Sequence, residues 1–157
     1  MIFCLSGCMT FGANSGRMHQ ILKSQTLSVS IKSSSANVYN FVSQPINLPI
    51  WAKTFVHSIR QSRGEWEIET AQGMARIRIA PKNDLGILDH TLKFPAGLEV
   101  TVPMRVVANG DGCEVLFTVF HQPEMTDEAY AADLKMVEQD LQSLKAWMEQ
   151  TVDILRK

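Results

Sequence analysis

The sequence predicts an α+β fold in which a curved antiparallel sheet of about seven strands wraps around one long C-terminal helix. Strand-like alternation of apolar and polar residues recurs between Gln25 and His121. Residues 126–157 then carry an apolar stripe at helical spacing. One long helix buries such a stripe against that many strands only if the sheet curves around it, and this requirement predicts the architecture.

The first 24 residues show neither strand nor helix periodicity, and we interpret residues 1–24 as an irregular N-terminal extension. Residues 5–8, LSGC, match the cleavage pattern of bacterial lipoproteins, but no Lys or Arg precedes Arg17. We favour a start codon assigned too early, with the protein proper beginning near Met18. Residues 25–157 are then expected to form a single domain.

The domain opens with a strand and two short helices. Leu27, Val29 and Ile31 alternate with polar residues, the period of a half-buried strand. The serines at 33–35 are suited to cap a helix, because apolar residues follow them at helical spacing. Two prolines then bracket a second short helical segment that ends at Trp51.

Six strand-like runs follow, at residues 55–62, 65–71, 74–80, 85–94, 98–108 and 113–121. Glycine-containing turns separate several of them, most clearly the hairpin signal Asn109-Gly110. The glutamates of run 65–71 and the arginines of run 74–80 alternate with apolar residues. This pattern indicates an antiparallel pair whose charged face is solvated.

The chain ends in a long amphipathic helix. Thr126 is the expected N-cap, and Asp127 and Glu128 in the first turn suit the helix dipole. The stripe consists of Tyr130, Leu134, Val137, Leu141, Leu144, Met148 and Leu155. Such a stripe indicates core packing, and in a curved sheet it also roofs a cavity.

Composition argues against several classes of protein. Fifteen basic and sixteen acidic residues give a net charge of −1, so no basic surface for nucleic acid or anionic lipid is expected. No apolar run is long enough to span a membrane. The three cysteines have no metal-ligand spacing and are odd in number. We therefore expect no metal, no cofactor, no disulfide framework and a reducing, cytoplasmic location.

From residue 25 to about residue 150 the chain resembles the START-like, helix-grip superfamily (SRPBCC), which includes polyketide cyclase/dehydrase-like and lipid-transfer proteins. The likeness rests on the order of elements and on the segments SSSANVYNFVSQPINLPIWAK and LDHTLKFPAGLEVTVPMRVV. It is strongest toward small uncharacterised bacterial members. The resemblance implies a hydrophobic ligand cavity, and it carries no catalytic motif.

An acid stands beside an imidazole at Asp89-His90. Neighbouring residues of a strand point to opposite faces. Leu88, His90 and Leu92 share the more apolar face, which places His90 inward and Asp89 outward. The sequence therefore argues against a catalytic dyad. By the same parity His57 and His121 are also expected on the inward side, which leaves a histidine acid/base open but supplies no inward carboxylate.

We expect the concave side to bind a small hydrophobic, aromatic or lipid-like molecule. One alternative is a cyclase or dehydratase that uses an inward histidine. A further alternative is a protein-interaction domain. Whether the chain is an enzyme, and whether it forms a homodimer, are left open. The candidate ligand-binding residues are Trp51, His57, Trp66, Ile77, His90, Leu92, Met104, Phe117, Tyr130, Leu134 and Val137.

Overall fold

The computed structural model describes residues 21–155, and the side chains of residues 21–150. It confirms the α+β class and the helix-grip arrangement. The strands are β1 Ser24–Ile31, β2 Ser58–Ser62, β3 Glu65–Thr70, β4 Gly73–Ile79, β5 His90–Lys93, β6 Glu99–Val102, β7 Met104–Asn109 and β8 Gly112–Phe120. The helices are α1 Ser35–Val42, α2 Leu48–Trp51, which a 3₁₀ turn at Pro45–Asn47 precedes, and α3 Asp127–Leu155.

Hydroxyl caps begin the two longer helices at the predicted positions. Ser34 Oγ accepts a hydrogen bond from the amide of Asn37 at 3.3 Å, at the start of α1. Thr126 Oγ1 accepts from the amide of Ala129 at 3.2 Å, at the start of α3. Each cap satisfies one of the amides that a helix leaves without an intrahelical acceptor. Most of the N-terminal extension lies outside the described residues, so its proposed boundary stays a prediction.

The described residues form eight strands rather than about seven, because run 98–108 divides at Pro103. Proline has no amide hydrogen to donate to a neighbouring strand, so a ladder is interrupted where it occurs. β6 ends before Pro103 and belongs to the five-stranded sheet β2-β3-β4-β5-β6. β7 begins after it and belongs to the three-stranded sheet β1-β8-β7.

Residues 86–88 join the two sheets into one curved surface by pairing with β7. The amide of Val106 donates to Gly86 O at 2.9 Å, and the amide of Leu88 donates to Met104 O at 2.9 Å. Gly86 has φ +70°, and a Cβ built on it would lie 2.0 Å from Val106 O. Glycine is therefore required where these backbones approach each other.

The predicted stripe of α3 covers the concave side of this surface. Tyr130, Val137, Leu141, Leu144 and Met148 are buried. Leu134 is partly buried against the same core, and the side chain of Leu155 lies outside the described residues. The helix packs against β1, β8 and α2. Through these contacts α3 covers the concave face of the sheets.

Leu141→Ala is expected to lower the free energy of unfolding by about 2–5 kcal/mol, because Leu141 is only 2% exposed and its loss leaves a cavity. The neighbouring residue Gln142 is exposed, and Gln142→Ala should change stability by less than about 0.5 kcal/mol. Urea unfolding of both variants measures the difference. Equal, small effects would contradict the assignment of the stripe to the core.

Candidate ligand-binding site

A narrow apolar cavity lies between the sheet, α3 and the segment around α2. Three elements contribute its walls. The α2 segment supplies Leu48, Trp51, Ala52, Phe55 and Val56. The sheet supplies Ile77, His90 and Phe117, and α3 supplies Met136, Val137, Asp140 and Leu141. The atoms leave about 490 Å³ of empty space, including the mouth of the cavity, and little of it is wide enough for a water molecule.

Five of the eleven predicted site residues line this cavity: Trp51, Ile77, His90, Phe117 and Val137. The other six do not. Leu92, Met104 and Tyr130 are buried elsewhere in the core, Trp66 and Leu134 are partly buried against it, and His57 is exposed. The sequence pattern therefore located the concave side, while the cavity occupies only the part of it nearest α2.

His57 differs from its predicted inward position because run 55–62 is not all strand. β2 begins only at Ser58, and the preceding segment turns: the amides of Phe55 and Val56 donate to Ala52 O at 3.1 Å and 2.8 Å. Strand parity does not extend through such a turn, and the inward positions there belong to Phe55 and Val56.

Tyr130 and His121 lie together outside the cavity. The Tyr130 hydroxyl donates to Val119 O at 3.3 Å, so a protein carbonyl already occupies it. The His121 ring packs against the Tyr130 ring with centroids 4.9 Å apart, and His121 Nε2 lies 3.3 Å from a carboxylate oxygen of Asp127. These contacts anchor the start of α3 to the end of β8.

Asp89 points away from the cavity and stabilises the join between the sheets. Its Oδ1 accepts from the amide of Met104 at 2.9 Å and also from the side chain of Arg105. Burial alone would raise the pKa of the Asp89 carboxyl, but the hydrogen bonds from Arg105 and Met104 outweigh it and hold that pKa below its usual range. Asp89 is therefore committed to these two partners.

His90 points into the cavity and is half-buried in its wall. Its ring meets the Phe117 ring edge-on, with centroids 5.9 Å apart and planes at 62°. His90 Nδ1 lies 3.1 Å from Leu88 O. Burial is the main influence on its titration and lowers the pKa of His90 below its ordinary value, so the neutral imidazole is favoured.

The prediction that no carboxylate faces inward is wrong, because Asp140 lines the same cavity as His90. Asp140 is 5% exposed, and its Oδ1 accepts from the amide of Thr54 at 2.9 Å. Burial raises the pKa of the Asp140 carboxyl, although the Thr54 amide opposes that effect. The missed signal was the spacing of Asp140 from Val137 and Leu141, which puts it on the inner face of α3.

The cavity thus combines apolar and aromatic walls with polar groups that include the imidazole of His90 and the carboxyl of Asp140. Among residues 21–150, no three His, Cys, Asp or Glu side chains are grouped closely enough to hold a metal ion. The arrangement is typical of a site that binds a small apolar molecule and orients it by a few polar contacts.

Comparison with known proteins supports the fold and leaves the ligand open. No protein-family model and no curated protein matches the chain. Among solved structures, a START superfamily protein from Mycobacterium smegmatis is similar with a TM-score of 0.60 and 14% identity, covering 82% of this chain and 98% of that one. Ara h 8.0201 has a TM-score of 0.60 and 12% identity, covering 81% and 97%.

The Aha1 dimer from Colwellia psychrerythraea is also similar, with a TM-score of 0.64 and 15% identity, covering 82% of this chain and 98% of that one. These likenesses show that the chain has a START-like fold. Within the described residues, no helix has the length and apolar character needed to cross a membrane.

The His90 pKa should lie below the ordinary histidine value of about 6.5, and Asp89→Asn should lower it further by much less than one unit. The negative charge of Asp89 raises the His90 pKa only as a minor influence beside burial. NMR titration of the imidazole protons measures both values, and spectra of His90→Gln assign the resonance. A fall of one unit or more in Asp89→Asn, equivalent to about 1.4 kcal/mol of coupling, would restore the acid/base pair.

Proposed function

We propose that the protein binds a small hydrophobic molecule, aromatic or lipid-like, in the cavity between the sheet and α3. This proposal rests on the composition of the cavity, in which aromatic and aliphatic side chains from α2, the sheet and α3 surround polar groups that include the imidazole of His90 and the carboxyl of Asp140. Apolar walls contribute affinity through the hydrophobic effect, and a few polar groups select the ligand. The START-like fold of the chain agrees with such a role.

Entry of a ligand requires side chains at the cavity to move, because most of the empty space is too narrow for water. Met136 is suited to this, since it is half-buried in the wall contributed by α3. An unbranched thioether side chain adopts several conformations at low cost. We propose that the Met136 side chain and the turn at residues 52–56 move to admit the ligand.

A cyclase- or dehydratase-like enzyme is the second candidate, with His90 as the acid/base. The presence of Asp140 in the same cavity favours it, because an acid/base site commonly needs a second polar group. Asp140 Oδ1, however, already accepts a hydrogen bond from the Thr54 amide and so holds the 52–56 turn on α3. Because Asp140 already makes this structural contact, ligand binding is better supported than catalysis.

A cytoplasmic location, a protein-interaction role and a homodimer remain proposals.

A neutral fluorescent probe, N-phenyl-1-naphthylamine, tests the binding proposal. Wild-type protein should bind it with enhanced fluorescence, and Ala52→Leu should weaken binding at least about tenfold because the larger side chain fills the cavity. Ala129→Leu is the matched control, since Ala129 lies on α3 among partly buried residues but does not line the cavity. Thermal unfolding verifies that both variants fold.

The proposal is contradicted if the wild-type protein binds no apolar probe. It is also contradicted if both variants bind the probe as tightly as wild type, since the fluorescence would then report a different surface.

A further inference from the structure

Two ring nitrogens, in residues that line the cavity, have no hydrogen-bond partner among the described residues. One is Trp51 Nε1, in a residue that is 4% exposed. The other is His90 Nε2, since the hydrogen bond recorded for this ring is made by Nδ1. A buried indole N–H ordinarily finds an acceptor, and leaving it unpaired is costly. The cavity therefore offers unused polar contacts to a ligand.

The chemistry of each contact follows from the protein around it. A carbonyl oxygen only accepts, so the His90 Nδ1 beside Leu88 O must carry the proton. In the neutral ring, which burial favours, Nε2 is then an acceptor with a free lone pair. Trp51 Nε1 is only ever a donor. The wall therefore presents one acceptor and one donor.

We propose that the ligand carries a hydroxyl group on its apolar body, which donates a hydrogen bond to His90 Nε2 and accepts one from Trp51 Nε1. A hydroxyl fits because a single oxygen both donates and accepts. This inference rests on the proposed binding function and specifies the class of ligand. It describes a neutral phenol or alcohol rather than a pure hydrocarbon.

The same cavity is unfavourable for an anionic ligand, because its walls are mainly apolar. A carboxylate ligand would enter an apolar space that already holds a buried carboxyl group. Its charge would lose hydration, and none of the described side chains that line the cavity is a lysine or an arginine. We therefore expect selection against fatty acids and aromatic acids.

Four compounds with one apolar skeleton test the inference: 2-naphthol, 2-methoxynaphthalene, naphthalene and 2-naphthoate. Dissociation constants are measured at neutral pH by calorimetry and ligand-observed NMR. The methyl ether keeps the acceptor and loses the donor. Wild-type protein should bind 2-naphthol about tenfold more tightly than either the ether or 2-naphthoate, a ratio typical of one hydrogen bond to a buried partner.

Two variants with matched controls identify the partners. His90→Phe should abolish the preference for 2-naphthol over the ether, whereas His121→Phe, outside the cavity, should keep it. Trp51→Phe should weaken binding of both 2-naphthol and the ether relative to naphthalene, whereas Trp66→Phe should not. Binding of naphthalene by each variant shows that its cavity is intact, so a misfolded variant is recognised.

The outcomes separate this inference from the proposed function. Similar affinities for 2-naphthol, the ether and naphthalene in wild type would overturn the hydroxyl assignment and leave apolar binding standing. A preference for 2-naphthol that persists in His90→Phe would overturn the role of His90. Failure of all four compounds to bind would reject the proposed function itself.

Discussion

The break at Pro103 determines how the chain passes from one sheet to the other. Because proline cannot donate to a strand ladder, the chain leaves the five-stranded sheet there and enters the three-stranded one. Asp89 stabilises the join by accepting the Met104 amide and the Arg105 side chain. Gly86 allows the backbones to approach closely enough to pair. The resulting curvature creates a concave side that a single long helix covers.

This join also determines the chemistry of the cavity. With Asp89 turned toward Met104 and Arg105, strand alternation turns its neighbour His90 to the opposite face. Asp89 therefore stabilises the join between the sheets and His90 lines the cavity, although the two residues are adjacent in sequence. Asp140 makes a comparable contact from the helix side, because it fixes the Thr54 amide while it lines the cavity. Both carboxyl groups therefore stabilise the structure around the cavity that His90 lines.

Regular patterns in the sequence predicted the parts of the molecule where local structure is regular. The alternation of Leu88, His90 and Leu92 predicted the side on which each residue lies, and the helical spacing from Tyr130 to Met148 predicted the buried face of α3. The errors arose where regularity ends or where an interior residue is polar. The turn before Ser58 exposes His57, Pro103 divides one run into two strands, and Asp140 interrupts an apolar stripe. Which residues line the cavity depends on how α2 packs across the sheet. This is a tertiary contact, and no local sequence pattern predicts it.

We propose that the cavity holds a small neutral apolar molecule. Native mass spectrometry of protein purified gently from its natural source would detect such a molecule, with the Ala52→Leu variant expressed in the same source for comparison. We expect a bound compound of low mass that contains a hydroxyl group, is present with wild type and is depleted in the variant. A compound retained equally by both proteins would contradict the assignment of the site, and an anionic compound lost from the variant would contradict the chemistry proposed for it.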